Sequence, residues 1–309
     1  IRRAKALKRI CEEIGIYIFP DELIVGSPAS KPRSTQVFPE FSIHWIEEEL
    51  DKFETRPEDK FIVSEKVKED LRSIFPYWRG KTVYDYAINL LPEDTYKLVI
   101  DGKHSGAHPW SGFAASLGHY LPDYYSIFTK GYKKIKEEVE LKMKKLNFAC
   151  TNPSEMKQNL NKYHFFKAVT IVCDAAIILS KRYAEKAREL AAEEVDFQRK
   201  KELVEIAKVC DTCLENPVKT FYEAIQALWF VQLIAQHLES NGASQGIGPF
   251  DQFIYAYYRK DIKEESANEE EILELIECFY VKLAEEVILR NKQRSSDISN
   301  FSMGQHIDL

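Results

Sequence analysis

The chain has 309 residues, 45% of them hydrophobic, with a formal net charge of −6. That is apolar side chain enough for one large domain or two, and it excludes a disordered tail. Lys, Arg, Asp and Glu are interspersed rather than blocked, which excludes the basic surface a nucleic-acid partner would need and leaves small-molecule work as the default.

The opening IRRAKALKRICEEIG is amphipathic and charged throughout, with no cleavage-like site, and no apolar run approaches the roughly 18–20 residues that span a bilayer. A cytoplasmic protein without a membrane partner is expected. Ala4, Leu7, Ile10, Cys11 and Ile14 recur at i, i+3, i+4 and i+7, so residues 2–14 should be a helix that Gly15 stops. The proline-rich stretch that follows, IYIFPDELIVGSPASKPRSTQVFPEF, has no helical period and reads as short strands and extended loop running over a surface. Helical periodicity returns at 42–53, at 64–75 with Ser64 as N-cap and at 82–90 with Thr82 as N-cap. Residues 99–121 hold Gly102, Gly106, Gly112 and Gly118 with His104, His108 and His119, and carry too few charges for a solvated loop. Long helices are expected over roughly 122–145, 153–192, 198–213, 218–240, 250–260 and 268–291. Asn216-Pro217 reads as a helix start, and the helix it opens is apolar on nearly every face from Trp229 to Leu238. Such a helix is enclosed by other elements and ends inside the fold, where a glycine stretch, ESNGASQGIGPF, begins.

Each candidate for chemistry has a plain structural alternative. The six scattered cysteines read as reduced core thiols, and the single CxxC, Cys210 to Cys213, lacks the second ligand pair of a zinc site and the preceding strand of a redox motif. His104 and His108 have metal-ligand spacing, but Gly106 and Pro109 argue against the helix that would align them. GASQGIG lacks the Lys-Ser/Thr pair of a phosphate loop and follows a helix rather than a strand. It therefore reads as a loop that lets backbone and the Ser244 hydroxyl approach a small polar substrate. His119, between Gly118 and the Pro122-Asp123 helix start, either satisfies a helix N-terminal turn or binds or deprotonates a substrate hydroxyl, and the residues alone leave these open.

Several stretches together resemble one family. RRAKALKRICEE followed by DELIVGSPASKPRSTQVFPEFS, and LDKFETRPEDKFIVSEKVKEDL, are similar to the N-terminal pattern of the glycyl radical enzymes, the group of pyruvate formate-lyase and its dehydratase, decarboxylase and C–N lyase relatives. GHYLPDYYSIFTKGY resembles the segment carrying a substrate-contacting histidine in the glycerol dehydratase branch, and ESNGASQGIGPFDQFIYAYYRKDI resembles that branch's ESNGHS loop and FDQ helix.

The resemblance implies an α/β, helix-rich fold, part of a ten-stranded barrel of two five-stranded half-barrels wrapped by helices. Residues 1–309 would be the N-terminal part of that single domain, with the thiyl cysteine and the radical glycine both outside it. It implies a B12-independent dehydratase acting on a small hydroxylated substrate. A decarboxylase or other C–C or C–N lyase is the alternative within the family, and a helical binding or assembly module the alternative outside it. His119 maps onto the pocket histidine and Ser244 onto the serine of the loop; Phe301 and Ser111 map onto pocket-wall positions. Ala243 stands where the glycerol-type relatives have histidine, which points away from glycerol. No bound metal or organic cofactor is expected in this chain. The protein-borne glycyl radical would be installed with S-adenosylmethionine by a radical activating enzyme, and the protein would be a homodimer or homotetramer.

Overall fold

The computed structural model describes residues 1–57, 59–100, 120–239, 246–285, 287–292 and 307–308. Among these residues the fold is helical: eleven α-helices and one pair of two-residue strands. The ten-stranded barrel expected from the resemblance is not visible in so little strand.

Helix α1 (Arg2–Glu13) buries Ala4, Leu7 and Cys11, the face its spacing defines. It lies along α7 (Pro153–Glu193), which also packs against α6 (Tyr124–Lys144) and α8 (Phe197–Thr212). Arg182 of α7 donates to the carbonyls of Cys11 (2.8 Å) and Ile14 (2.7 Å), which α1 itself cannot pair at its C-terminal end. Contrary to the sequence reading, α7 contains an 18-residue window of mean hydropathy 1.4, long and apolar enough by length and composition to cross a membrane. Its Ala175, Ala176, Leu179 and Tyr183 are buried in the main core, Cys173 is buried beside them, and its Asp174 pairs with Lys136 of α6 at 2.6 Å.

The centre of that core is α9 (Phe221–Leu233), fully buried from Ala224 to Leu233 as its all-round apolar sequence requires. It does not start at Asn216-Pro217. The Asn216 amide still donates to Thr212 O, closing the end of α8, and the carbonyls of Leu214 and Glu215 accept from Tyr132 and Lys133 of α6 at 2.8 and 3.1 Å. Thr220 is the actual cap, its hydroxyl accepting from Glu223 N at 3.1 Å, and Asp261 Oδ2 takes the Phe221 N–H at 2.7 Å. The crossing with α6 is possible because α6 breaks at Gly131 (φ 70°, ψ 162°), where the backbone of Glu215 and Asn216 lies directly against the Cα.

The proline-rich segment forms no strands among the described residues, and part of it is interior rather than superficial. Ile24 and Val25 are buried, and the Gln226 side chain of α9 takes the place of a neighbouring strand, accepting from Val25 N (2.9 Å) and donating to Val25 O (2.8 Å). Trp229 Nε1 donates to Gly26 O at 3.0 Å in the same manner.

A second, smaller core joins α2 (His44–Glu49), α3 (Glu65–Trp78) and Leu289 through Ile43, Ile46, Leu50, Phe53 and Phe75. Ser64 caps α3 and Thr82 caps α4 (Val83–Asn89) in a reciprocal box with Asp85, as the sequence predicts. Helix α5 (Glu93–Ile100) follows where no helix is legible. Helices α10 (Phe250–Lys263) and α11 (Glu269–Glu285) complete the main core. Helix α11 stops six residues short of expectation, because Ile288 and Leu289 run on as extended, buried backbone.

Candidate active site

Besides Gln226, two further buried amides stand four residues apart, Gln232 near the end of α9 and Gln236 in the turn that follows it. Gln232 and Gln236 are 0% and 1% exposed, a placement that costs several kcal/mol in principle unless both amides are hydrogen-bonded. They are paired: Tyr124 Oη donates to Gln232 Oε1 (3.1 Å), and Gln232 Nε2 donates to Gln236 Oε1 (2.7 Å). Tyr124 is the first residue of α6. Asp123 starts that helix by accepting from Ser126 N at 3.0 Å, and its hydrogen bonds with Ser126 hold the carboxyl below the usual carboxylate range. The Tyr124 ring lies against Phe128 and Phe253 at centroid separations of 6.2 and 5.7 Å, between α6 and α10.

The α-helical pattern ends between the two glutamines. Ile234–Leu238 is a single π-turn, closed by Glu239 N donating to Ile234 O at 2.9 Å, with Gln236, His237 and Leu238 buried. Arg3 of α1 pairs with Glu239 at the exit. Wide turns of this kind insert one residue and are frequent at functional sites.

The chain is described again at Gly246 and Ile247 and enters strand β1 (Gly248–Pro249), which pairs in parallel with β2 (Ile307–Asp308) in the register Gly248 to Ile307 and Pro249 to Asp308. Gly248 has φ 76°, and a Cβ there would lie 2.9 Å from Leu121 Cδ2. Leu121, β1 and β2 therefore meet at one point.

His119, Ser244, Phe301 and Ser111, with Ala243, His104 and His108, lie outside the described residues. What the structure brings together is the chain on either side of them. The residues the sequence reading passed over are Tyr124, Gln232 and Gln236. Their signal was present: two glutamines at helical spacing in an otherwise apolar segment.

Among the described residues no group of three or more His, Cys, Asp and Glu is placed to hold a metal. The thiols are unpaired and mostly interior. Burial pushes Cys11, Cys173 and Cys213 up to about 12, and Cys210 above its ordinary value as well. Protonated thiols of this kind are poor nucleophiles and poor ligands. In the CxxC, Ser180 Oγ donates to Cys210 O at 2.5 Å and sits 3.6 Å from Cys213 Sγ, a packing arrangement between α7 and α8.

The chain belongs to the pyruvate formate lyase-like family, whose model matches residues 1–307, and with it to the glycyl radical enzymes that its sequence resembles. It is 35% identical over 295 residues to an isethionate sulfite-lyase of Oleidesulfovibrio alaskensis, covering 94% of this chain and 35% of that enzyme. A solved structure concerned with 1,2-propanediol dehydration in Roseburia inulinivorans superposes with a TM-score of 0.91 at 36% identity, covering 98% of this chain and 37% of the other. The glycerol-bound B12-independent glycerol dehydratase of Clostridium butyricum superposes with a TM-score of 0.89 at 37% identity, again over 98% of this chain and 37% of that one. The chain thus spans little more than a third of the length of the relatives it matches.

Proposed function

We propose that these residues form one wall of the active site of a glycyl radical lyase, a B12-independent dehydratase acting on a small hydroxylated substrate. The observation that carries the reading is the meeting of Leu121, Gly248 and Ile307, the described neighbours of His119, Ser244 and Phe301. The parallel register of β1 and β2 supports a place in a ten-stranded α/β barrel, of which residues 1–309 would be the N-terminal part.

In this reading the protein-borne radical, installed by an activating enzyme that uses S-adenosylmethionine, supplies hydrogen-atom abstraction from a substrate carbon. This chain's own residues bind and orient. The Ser244 hydroxyl holds one substrate hydroxyl, and His119, with an imidazole that ordinarily titrates near 6.5, gives the proton with which the departing hydroxyl leaves as water. Phe301 and Ser111 line the pocket wall. Ala243 brings no hydrogen-bonding group, which favours a substrate less polar than glycerol. The relative named as a sulfite-lyase supports a second reading, in which a similar wall serves a lyase that breaks a bond other than C–O. Homo-oligomerisation belongs to the same proposal, and the exposed apolar side chains Leu141, Phe148, Leu160 and Phe165 of the α6–α7 hairpin offer surface for it.

The test is anaerobic incubation of the activated full-length enzyme with a panel of vicinal diols. An aldehyde or ketone product is expected, with loss of at least about 100-fold in kcat/KM for His119→Ala. No carbonyl product from any diol would refute the dehydratase, and a fully active His119→Ala would refute the role of His119.

A further inference from the structure

The start of α6 and the π-turn after α9 are joined inside the protein by a directional hydrogen-bond chain, from the Tyr124 hydroxyl to the Gln232 amide to the Gln236 amide. Tyr124 lies five residues after His119. Gln236 lies on the π-turn, eight residues before Ser244. We infer that Tyr124, Gln232 and Gln236 are positioning residues that fix the start of α6 relative to α9 and the π-turn, and so set the substrate affinity of the wall. The inference rests on the functional reading above and extends it to three residues that reading does not use.

Three observations carry it. The link is buried where hydrophobic side chains would fill the space without any need for pairing. Buried amides in an apolar helix are kept where they select one arrangement among near-equal packings, and the best-attested use of such a group is to fix register. Gln226, on the same helix, already shows that use, since its amide alone holds the backbone of Val25. The Gln232 to Gln236 bond also spans the point at which α-helix gives way to π-turn. A π-turn turns every later residue by roughly one position, about 100° around the axis, relative to a continued α-helix. A side-chain bond across that point, with Arg3 on Glu239 beyond it, holds the wider turn and with it the direction in which the chain leaves towards residue 240. Finally, Tyr124 is fixed at its own end by the Asp123 cap and by the rings of Phe128 and Phe253, so the hydroxyl is a rigid origin for the chain.

Tyr124→Phe removes one oxygen atom and leaves the ring packing. In the activated full-length enzyme it should raise KM for a turned-over diol, 1,2-propanediol as first probe, by about 5- to 10-fold while kcat changes less than about 2-fold. Gln236→Met should act in the same direction. Combined with Ser244→Ala, Tyr124→Phe should add nothing further, because both act through the same contact. An unchanged KM in Tyr124→Phe, or effects that multiply in the double variant, would overturn the inference. If Ser244→Ala itself leaves KM unchanged, the functional reading fails instead. A measurement independent of turnover is amide hydrogen exchange of the resting full-length protein. Tyr124→Phe should speed exchange at residues 234–239, and Gln236→Met at residues 120–124, with α7 and α8 unaffected. Changes confined to the mutated element would refute the coupling whatever the kinetics.

Discussion

Replacing Gly131 by alanine should be among the most damaging single-methyl changes in the protein. Two separate costs combine there. The backbone sits at φ 70° and ψ 162°, a region essentially reserved for glycine, and forcing a side chain into it costs about 1–3 kcal/mol. The new Cβ would also lie 2.5 Å from Asn216 C and 2.5 Å from Glu215 O, backbone atoms with no rotamer to yield. Such overpacking costs a further 1–3 kcal/mol or so. Relief by moving α6 away would break Tyr132 N to Leu214 O (2.8 Å) and Lys133 N to Glu215 O (3.1 Å), so it is not an inexpensive escape. A loss of about 3–5 kcal/mol follows. Gly80 provides the control: its φ is 73°, yet nothing lies within 4 Å of a Cβ there, so Gly80→Ala should show only the backbone cost of about 1–2 kcal/mol. Urea denaturation of both variants in the full-length protein, fitted with a common slope, separates the two costs. Equal losses in the two variants would refute the argument that the α6 crossing depends on close backbone approach.

Two further perturbations probe the buried charges. Lys282, 2% exposed, pairs with Glu22 and with Glu285 (3.1 Å), and burial pushes the Glu22 carboxyl up even with Lys282 beside it. Lys282→Ala should cost about 3–5 kcal/mol in chemical denaturation, while Lys282→Met with Glu22→Leu should recover most of it; a harmless Lys282→Ala would refute the coupling. At Asp85, burial alone would raise the carboxyl, but hydrogen bonds from Thr82 and from His44 Nε2 (2.7 Å) outweigh it and hold Asp85 below its ordinary range. A folded value below the unfolded one, near 3.9, means the contribution is present above about pH 4 and lost as pH falls through the folded value. The stability gap between wild type and Asp85→Asn should therefore be open at pH 6 and narrow on acidification below about pH 4; a gap that does not change with pH would refute it.

What could be read from the sequence was what local chemistry decides. Ser64 and Thr82 cap the helices they precede because capping needs only a side-chain oxygen and the next few amides. The Asn216-Pro217 signal is equally sound locally, but the backbone after α8 is committed to α6, and the start of α9 moves to Thr220. In the same way the apolar pattern over 42–53 correctly marks Leu50 and Phe53 as buried, although the helix itself ends at Glu49 and the rest is turns. Burial pattern survives a change of backbone form; element boundaries do not. The buried course of Ile24 and Val25 was illegible for a related reason, since the partner that satisfies Val25 is a side chain 201 residues away. Of the site, the family-like motifs around His119 and Ser244 were legible, whereas the π-turn between Gln232 and Gln236 has no spacing signature separate from that of an α-helix.

The two cores have different relations to the site. The main core supplies α9 and the polar link. The second core receives the chain after α11: Leu289 is buried in it, Arg56 Nη1 donates to Arg290 O at 2.8 Å, and the Glu49 carboxylate takes the Lys292 N–H at 2.9 and 3.0 Å. Glu49 and Arg56 are 3.6 Å apart, and Arg56 also lies over the rings of Phe53 and Phe61. These charges have the geometry of backbone clamps, occupied in holding an extended segment rather than directed at a ligand. Fifteen residues beyond Lys292 the chain pairs as β2 with β1, which belongs to the main core's side. The parallel pairing of β1 with β2 thus joins the main core's side to a strand that follows the second core in sequence.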